Sequence, residues 1–139
     1  MSIESELYDH FNTQKAGNSD LNSLTILWIS QNISASVSPS TEYIVPNIVL
    51  GTSGARELPY DQSIVRYDYI FFMNLLLKEN TGTSKVYTMA DAIRSIYHKK
   101  TITTSSYTYS FDTLEVSNGF MTGGHFEVPV TITFYTFAS

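Results

Sequence analysis

Arg66-Tyr67-Asp68-Tyr69-Ile70-Phe71-Phe72-Met73-Asn74-Leu75-Leu76-Leu77 is the stretch on which the reading of the fold turns. Side chains of an extended chain point alternately to opposite sides. Val65, Tyr67, Tyr69, Phe71, Met73, Leu75 and Leu77 therefore share one side. Arg66, Asp68, Ile70, Phe72, Asn74 and Leu76 share the other. The first half mixes polar with apolar and the second half is apolar on both sides. That pattern predicts a long strand from Ser63 to Lys78, half exposed at its start and covered on both faces at its end.

Such a strand needs partners, and the flanking sequence offers them. The clearest alternation is at the end of the chain. There Phe126, Val128, Val130, Ile132 and Phe134 oppose Glu127, Pro129, Thr131, Thr133 and Tyr135. Tyr43 to Leu50 reads as another strand. Pro46 within it has no N–H to give a ladder, which predicts an edge or a bulge there. Leu24 to Ile29 is apolar enough for a buried strand, and the Ser, Asn and Pro of Ser30 to Ser40 loosen the chain after it. Thr101 to Phe111, rich in Thr, Ser and Tyr, reads as a solvent-exposed strand that Leu114 and Val116 continue. Asn118-Gly119 signals a hairpin, and Gly123-Gly124 offers a competing turn.

Two segments carry the helical period instead. Ile3, Leu7 and Phe11 recur every four residues. Ser2 is placed to cap that helix, Glu4 and Glu6 suit its positive end, and Lys15 and Gly17 mark its close, with Ala16 to Asn22 a loop. Val86, Met89, Ala90, Ile93 and Tyr97 make one face of a second helix. It follows a turn around Gly82, takes Ser84 as its cap, and is closed by His98, Lys99 and Lys100. Gly51 to Gln62, with Gly51, Gly54, Arg56, Glu57, Pro59 and Asp61, reads as a long loop, and loops of that length tend to be functional or mobile. The predicted order is α-β-β-β-α-β-β, an α+β fold. A mainly antiparallel sheet of about five strands is packed by two helices in a single domain over residues 1–139.

Composition narrows the function. Charged residues are 15% of the 139, below the usual ~25%, while ten Tyr, eight Phe and one Trp make aromatics 14%. Tyr is favoured at protein interfaces and is also a strand former, so the aromatics fit either an oligomer or a β-rich domain. The net charge of −5 and scattered Lys and Arg argue against a grip on nucleic-acid phosphates. Cysteine is absent, which excludes disulfides and thiolate metal sites. The acidic start lacks the pattern of a signal peptide, and Ile70 to Leu77 is far shorter than the ~20 residues of a membrane span. The Asn32-Ile33-Ser34 sequon matters only in a secretory setting.

No catalytic apparatus is legible. Gly51-Thr52-Ser53-Gly54 lacks the Lys and spacing of a phosphate loop and fails as a nucleophile elbow. His125 and Glu127 are two apart on a strand, and a metal would need a third ligand from His10 or His98. A solvated His beside the Gly-Gly turn is the plainer reading. Asp91 and Arg94 are spaced for an exposed ion pair on a helix, and neither Asp9 with His10 nor Asp61 with Asp68 has a spacing that demands convergence. No catalytic residue, cofactor or metal is expected, and the chain is expected not to be an enzyme.

The element order and several stretches resemble the tail terminator (tail completion) proteins of long-tailed bacteriophages. These stretches are Ile3 to Thr13, Arg66 to Met73, Met89 to Tyr97 and Val128 to Tyr135. The likeness lies in elements and hydrophobicity over most of the chain, not in a diagnostic motif. It implies a homohexameric ring in the virion, assembled in the host cytoplasm. The ring would cap the head-proximal end of the tail tube, end tube polymerisation and dock the head or neck. Its partners would be further copies of itself, the tail tube protein and a neck or head-completion protein, with DNA passing through the lumen unbound and no membrane involved. Six copies at −5 each would total about −30, a ring that repels DNA and favours its sliding. Interface candidates are Arg56, Glu57, Tyr60 and Asp61 in the loop, and Tyr107 and Tyr109 in the Thr-rich strand. Another phage neck or minor tail protein remains open as an alternative, as does a small-ligand or protein-binding β-rich module.

Overall fold

The computed structural model describes residues 3–28, 38, 40–55, 65–78 and 82–138. Its helices are α1 (Ile3–Ala16) and α2 (Thr83–Tyr97). Its strands are β1 (Thr25–Ile26), β2 (Tyr43–Ala55), β3 (Val65–Lys78), β4 (Thr101–Thr103), β5 (Thr108–Val116), β6 (Phe120–Thr122), β7 (His125–Val128) and β8 (Val130–Ala138). They form an eight-stranded sheet in the order β1-β2-β3-β8-β5-β4, with β7 continuing along β3 and β6 paired to β7. The β1–β2 pair is parallel and every other pair is antiparallel. The α+β class and the long central strand are as expected, while the strands are more numerous and differently divided.

The hairpin of β2 and β3 carries the first correction. Pairing runs from Tyr43↔Leu76 to Ala55↔Val65, so Gly51 to Ala55 belong to a strand and not to a loop. The ladder shifts register between Leu50 and Thr52, leaving Gly51 as the extra residue of a bulge. A Cβ at Gly51 would lie 3.3 Å from the carbonyl oxygen of Asp68, which is why the smallest residue sits there. Ser2 and residues 56–62 lie outside the described residues. Pro46 is at an edge, as its chemistry requires. The Glu42 and Ile44 carbonyls accept from the Thr25 and Leu27 N–H groups on the side of β2 away from β3, and on that side the Ile48 N–H donates to the Tyr8 hydroxyl at 2.9 Å. Pro46 falls in the same series, past the end of the two-residue β1, so its missing N–H removes no ladder bond. Of Leu24 to Ile29, expected as a buried strand, the described residues pair only at Thr25–Ile26, and Ile29 lies outside them.

The second hairpin is folded more intricately than its sequence implies. The expected single strand at the chain's end is two strands in line: β7 pairs Leu75↔Val128 to Lys78↔His125, and β8 pairs Val65↔Ala138 to Phe72↔Thr131, in one register. Pro129 makes the break. In the gap the Val130 N–H donates to Asn74 Oδ1 at 3.2 Å, so the polar residue that interrupts the apolar run of β3 serves the interruption opposite. The turn before β7 is made by Gly123 (φ 53°) and Gly124 (φ 87°), both in the left-handed region, and not by Asn118-Gly119. Thr101 to Phe111 is likewise a tight hairpin, β4 turning into β5, in which the Thr104 N–H donates to the Tyr107 carbonyl at 2.9 Å. The cap of α2 is Gly82, without a side-chain bond; Ser84 lies inside the helix, its carbonyl accepting from the Thr88 hydroxyl.

Both helices lie on the same side of the sheet. Ile3, Leu7 and Phe11 of α1 and Met89, Ala92, Ile93 and Tyr97 of α2 pack with Phe71, Met73, Leu75, Leu77, Phe111, Ile132 and Phe134 in one core. Tyr97 is at its centre, with its ring 5.6 Å from Phe71 and 5.1 Å from Phe111. Its hydroxyl is 3.4 Å from His10 Nδ1, and burial drives its ionisation well above the ordinary tyrosine range.

Candidate interaction surface

The other side of the sheet is the candidate site, because no helix among the described residues covers it. Among the described residues only its end near β1 is closed, by a small cluster of Leu27, Tyr43 and Leu76 with Val45 against it. Thus the end of β3 is covered on both faces as its sequence predicts, by two unequal cores. Beyond that cluster the open side presents Val49 of β2, Ile70 and Phe72 of β3, Thr131, Thr133, Tyr135 and Phe137 of β8, and Ser110 of β5, all exposed or half-buried.

A shallow depression of about 670 Å³ opens on this side, lined in part by Gly51, Arg66, Asp68, Ser110, Asp112 and Tyr135. Its charged floor is already organised. Arg66 donates from Nε (3.0 Å) and Nη2 (2.8 Å) to Asp68 Oδ1, and its guanidinium lies 4.0 Å above the centre of the Tyr135 ring. Asp68 and Arg66 share this face because they are two apart on one strand, and Tyr135 joins them because it pairs with Asp68 in the ladder. Such an arrangement holds a partly charged surface in place; the Arg66, Asp68 and Tyr135 group contains no nucleophile with an activating base.

Large apolar side chains are exposed in two places. Val49, Leu50 and Phe137 stand toward the half of the sheet where β3 begins. Tyr87 of α2 stands beside a groove of about 560 Å³ near the other half, where Met121 and Phe120 of β6 are also exposed. Sequence reading missed all six. Val49 and Leu50 looked like strand interior, and only the apolar pair Phe120-Met121, set between two glycine signals, carried a hint.

The residues singled out from sequence fare unevenly. Arg56, Glu57, Tyr60 and Asp61 lie outside the described residues. Tyr107 is half-buried in the turn between β4 and β5, with its ring 5.9 Å from Tyr109. Tyr109 is a correction: it is 0% exposed, packed between Phe111 and Phe134, and its hydroxyl donates to Glu6 Oε1 at 3.3 Å. Buried on the helix side of the sheet, its side chain serves the core and offers nothing to a neighbour. Burial first, and the Glu6 carboxylate second, push its ionisation above the ordinary range. Tyr69 is held up to about 12 by the same two causes, burial and then the nearby Glu4.

The possible metal set is dispersed. His125, expected to be solvated, is 1% exposed, with Nε2 2.9 Å from the Thr41 carbonyl oxygen and its ring against Tyr43. His10 is against Tyr97, and His98 Nδ1 accepts from the Leu114 N–H at 3.0 Å. Among the described residues no group of three His, Asp or Glu side chains is placed to hold a metal ion. Asp68 pairs with Arg66, and Asp91 forms the exposed pair with Arg94 that its spacing predicts, at 3.3 Å.

Comparison with known proteins agrees with this geometry. A solved structure at 10% identity superposes with a TM-score of 0.71, covering 99% of this chain and 94% of the other, which is a likeness of fold. No curated protein matches the sequence. The family model described as phage tail terminator protein matches residues 6–134. This chain belongs to the phage tail terminator protein family.

Proposed function

We propose that copies of this chain form a ring that caps the head-proximal end of a phage tail tube, ends its polymerisation and gives the neck a surface to dock on. The family match over residues 6–134 carries this reading and makes the chain a component of the virion tail. No helix among the described residues is long and apolar enough to cross a membrane.

Exposed apolar side chains support the ring physically. Each chain exposes two unlike apolar sets, Val49, Leu50 and Phe137 on one half of the sheet and Tyr87, Phe120 and Met121 toward the other. Contact between unlike patches is head-to-tail, and head-to-tail contacts close into rings when the rotation permits. Six copies carry about −30 in total, a ring that repels DNA rather than grips it, and an acidic lining would favour sliding.

Sedimentation of the purified chain, alone and with tail tubes, tests the proposal. The wild type forms a closed ring of roughly six copies and binds tube ends, halting their growth. Phe137→Asp and Met121→Asp each reduce it to monomers with unchanged circular dichroism. A chain that stays monomeric and leaves tube growth unaffected would sink the reading.

A further inference from the structure

The Asn118-Gly119 pair is the hairpin signal that the fold does not use. Residues 117–119 lie between β5 and β6 outside any ladder, and the turn is made instead at Gly123-Gly124. The glycine nevertheless lies close against a ring. A Cβ at position 119 would fall 2.2 Å from Cζ of Phe126 and 2.4 Å from Cε2, so a larger residue there would require that ring to move. Asn118 is exposed, and beside Asp91 and Arg94 it lines the groove between α2 and the β6–β7 hairpin. Of the eight asparagines in the chain it alone precedes a glycine.

We propose that Asn118 is a site of spontaneous deamidation that adds a carboxylate to the rim of this groove. An asparagine side chain reaches its own following backbone readily, and a following glycine puts no side chain in the way. The Gly119 backbone nitrogen, on losing its proton, attacks the Asn118 side-chain carbonyl carbon. The C–N bond of the amide breaks and ammonia leaves, giving a five-membered succinimide. Water then opens the ring at either carbonyl, yielding Asp or isoaspartate at 118, and no other reactant is needed. The net charge moves from −5 to −6, the change being the one carboxylate gained. That carboxylate appears on the same groove as Arg94, whose present partner is Asp91. The isoaspartate product also lengthens the main chain next to Gly119, which lies against the Phe126 ring.

The folded chain, incubated in mildly alkaline and in mildly acidic buffer and sampled over weeks, gives the test by isoelectric focusing and peptide mass mapping. The expected result is an acidic species one charge lower, faster to form in alkali, with Asp and isoaspartate at 118 exceeding conversion at every other asparagine. Asn118→Gln, which keeps the polarity and folds alike, abolishes that species. Either of two results would overturn the proposal. One is a folded chain intact at 118 while the urea-unfolded chain converts, which would mean that the loop geometry forbids the attack. The other is conversion spread evenly over the asparagines.

Discussion

The two sides of β3 meet very different surroundings although their residues alternate along one stretch of sequence. On the helix side, Tyr69, Phe71, Met73, Leu75 and Leu77 are all buried, under α1 and α2. On the other side, Arg66, Asp68, Ile70, Phe72 and Asn74 remain half-exposed, and only Leu76 is closed over. The helix side is where this fold gets its stability. The open side, sparsely charged with an anchored Arg66–Asp68–Tyr135 group, is where it can afford contact with other chains.

Substitution on β3 gives the sharpest test of that contrast. Phe71→Ala on the helix side is expected to cost ~3–5 kcal/mol by denaturant unfolding, through lost burial and the cavity left behind. Phe72→Ala, its neighbour on the open side, should cost less than about 2 kcal/mol, since much less of it leaves water on folding. Equal losses would mean that the open side is covered in solution. A smaller effect is expected where both sides depend on one polar contact. Asn74→Ala leaves the Val130 N–H unpartnered and should cost about 1–3 kcal/mol, with faster hydrogen exchange at that amide. If exchange at Val130 is unchanged, water fills the gap and Asn74 is dispensable.

The smallest effect at ordinary pH comes from Tyr69. Its ionisation is raised from 10 to about 12 in the folded chain, by burial first and Glu4 second. A raised value means that the folded state keeps a proton which the unfolded state loses. Its contribution is therefore complete below pH 10 and is lost as pH rises through about 12. Tyr69→Phe should match the wild type near neutrality and show a flatter decline of stability in alkali. An unchanged alkaline slope would remove Tyr69 from the buried side of the comparison.

Much of the helix side was legible in sequence because burial there follows a simple period. Ile3, Leu7 and Phe11 mark α1, Val86 to Tyr97 mark α2, and the alternation of β3 and of β7 with β8 is plain. What failed depends on contacts between distant residues. Gly51 looked like the start of a loop because a bulge glycine and a turn glycine have the same composition; the register shift against β3, which brings the Asp68 carbonyl oxygen to 3.3 Å from where a Cβ would stand, distinguishes them. Pro129 breaks a strand without changing its register because Asn74 lies opposite. Tyr109 sits in a Thr- and Ser-rich stretch that reads as exposed, and is buried because its strand turns it to the helix side between Phe111 and Phe134, where Glu6, more than a hundred positions earlier, accepts from its hydroxyl. The open side was the least legible, since the exposure of Val49 and Phe137 reflects the lack of a covering layer among the described residues and no local pattern records that.

The unbroken register of β3 against β7 and β8 also bears on how the chain reaches this shape. The hairpins β2–β3 and β5 to β8 join residues near each other in sequence, whereas the seam joins Val65 to Ala138 and Lys78 to His125 across all of α2. Closing so long a loop is slow compared with forming local pairs. Two preformed halves must therefore meet along one line, and the Pro129 gap, with Asn74 waiting opposite, fixes the alignment at which they lock.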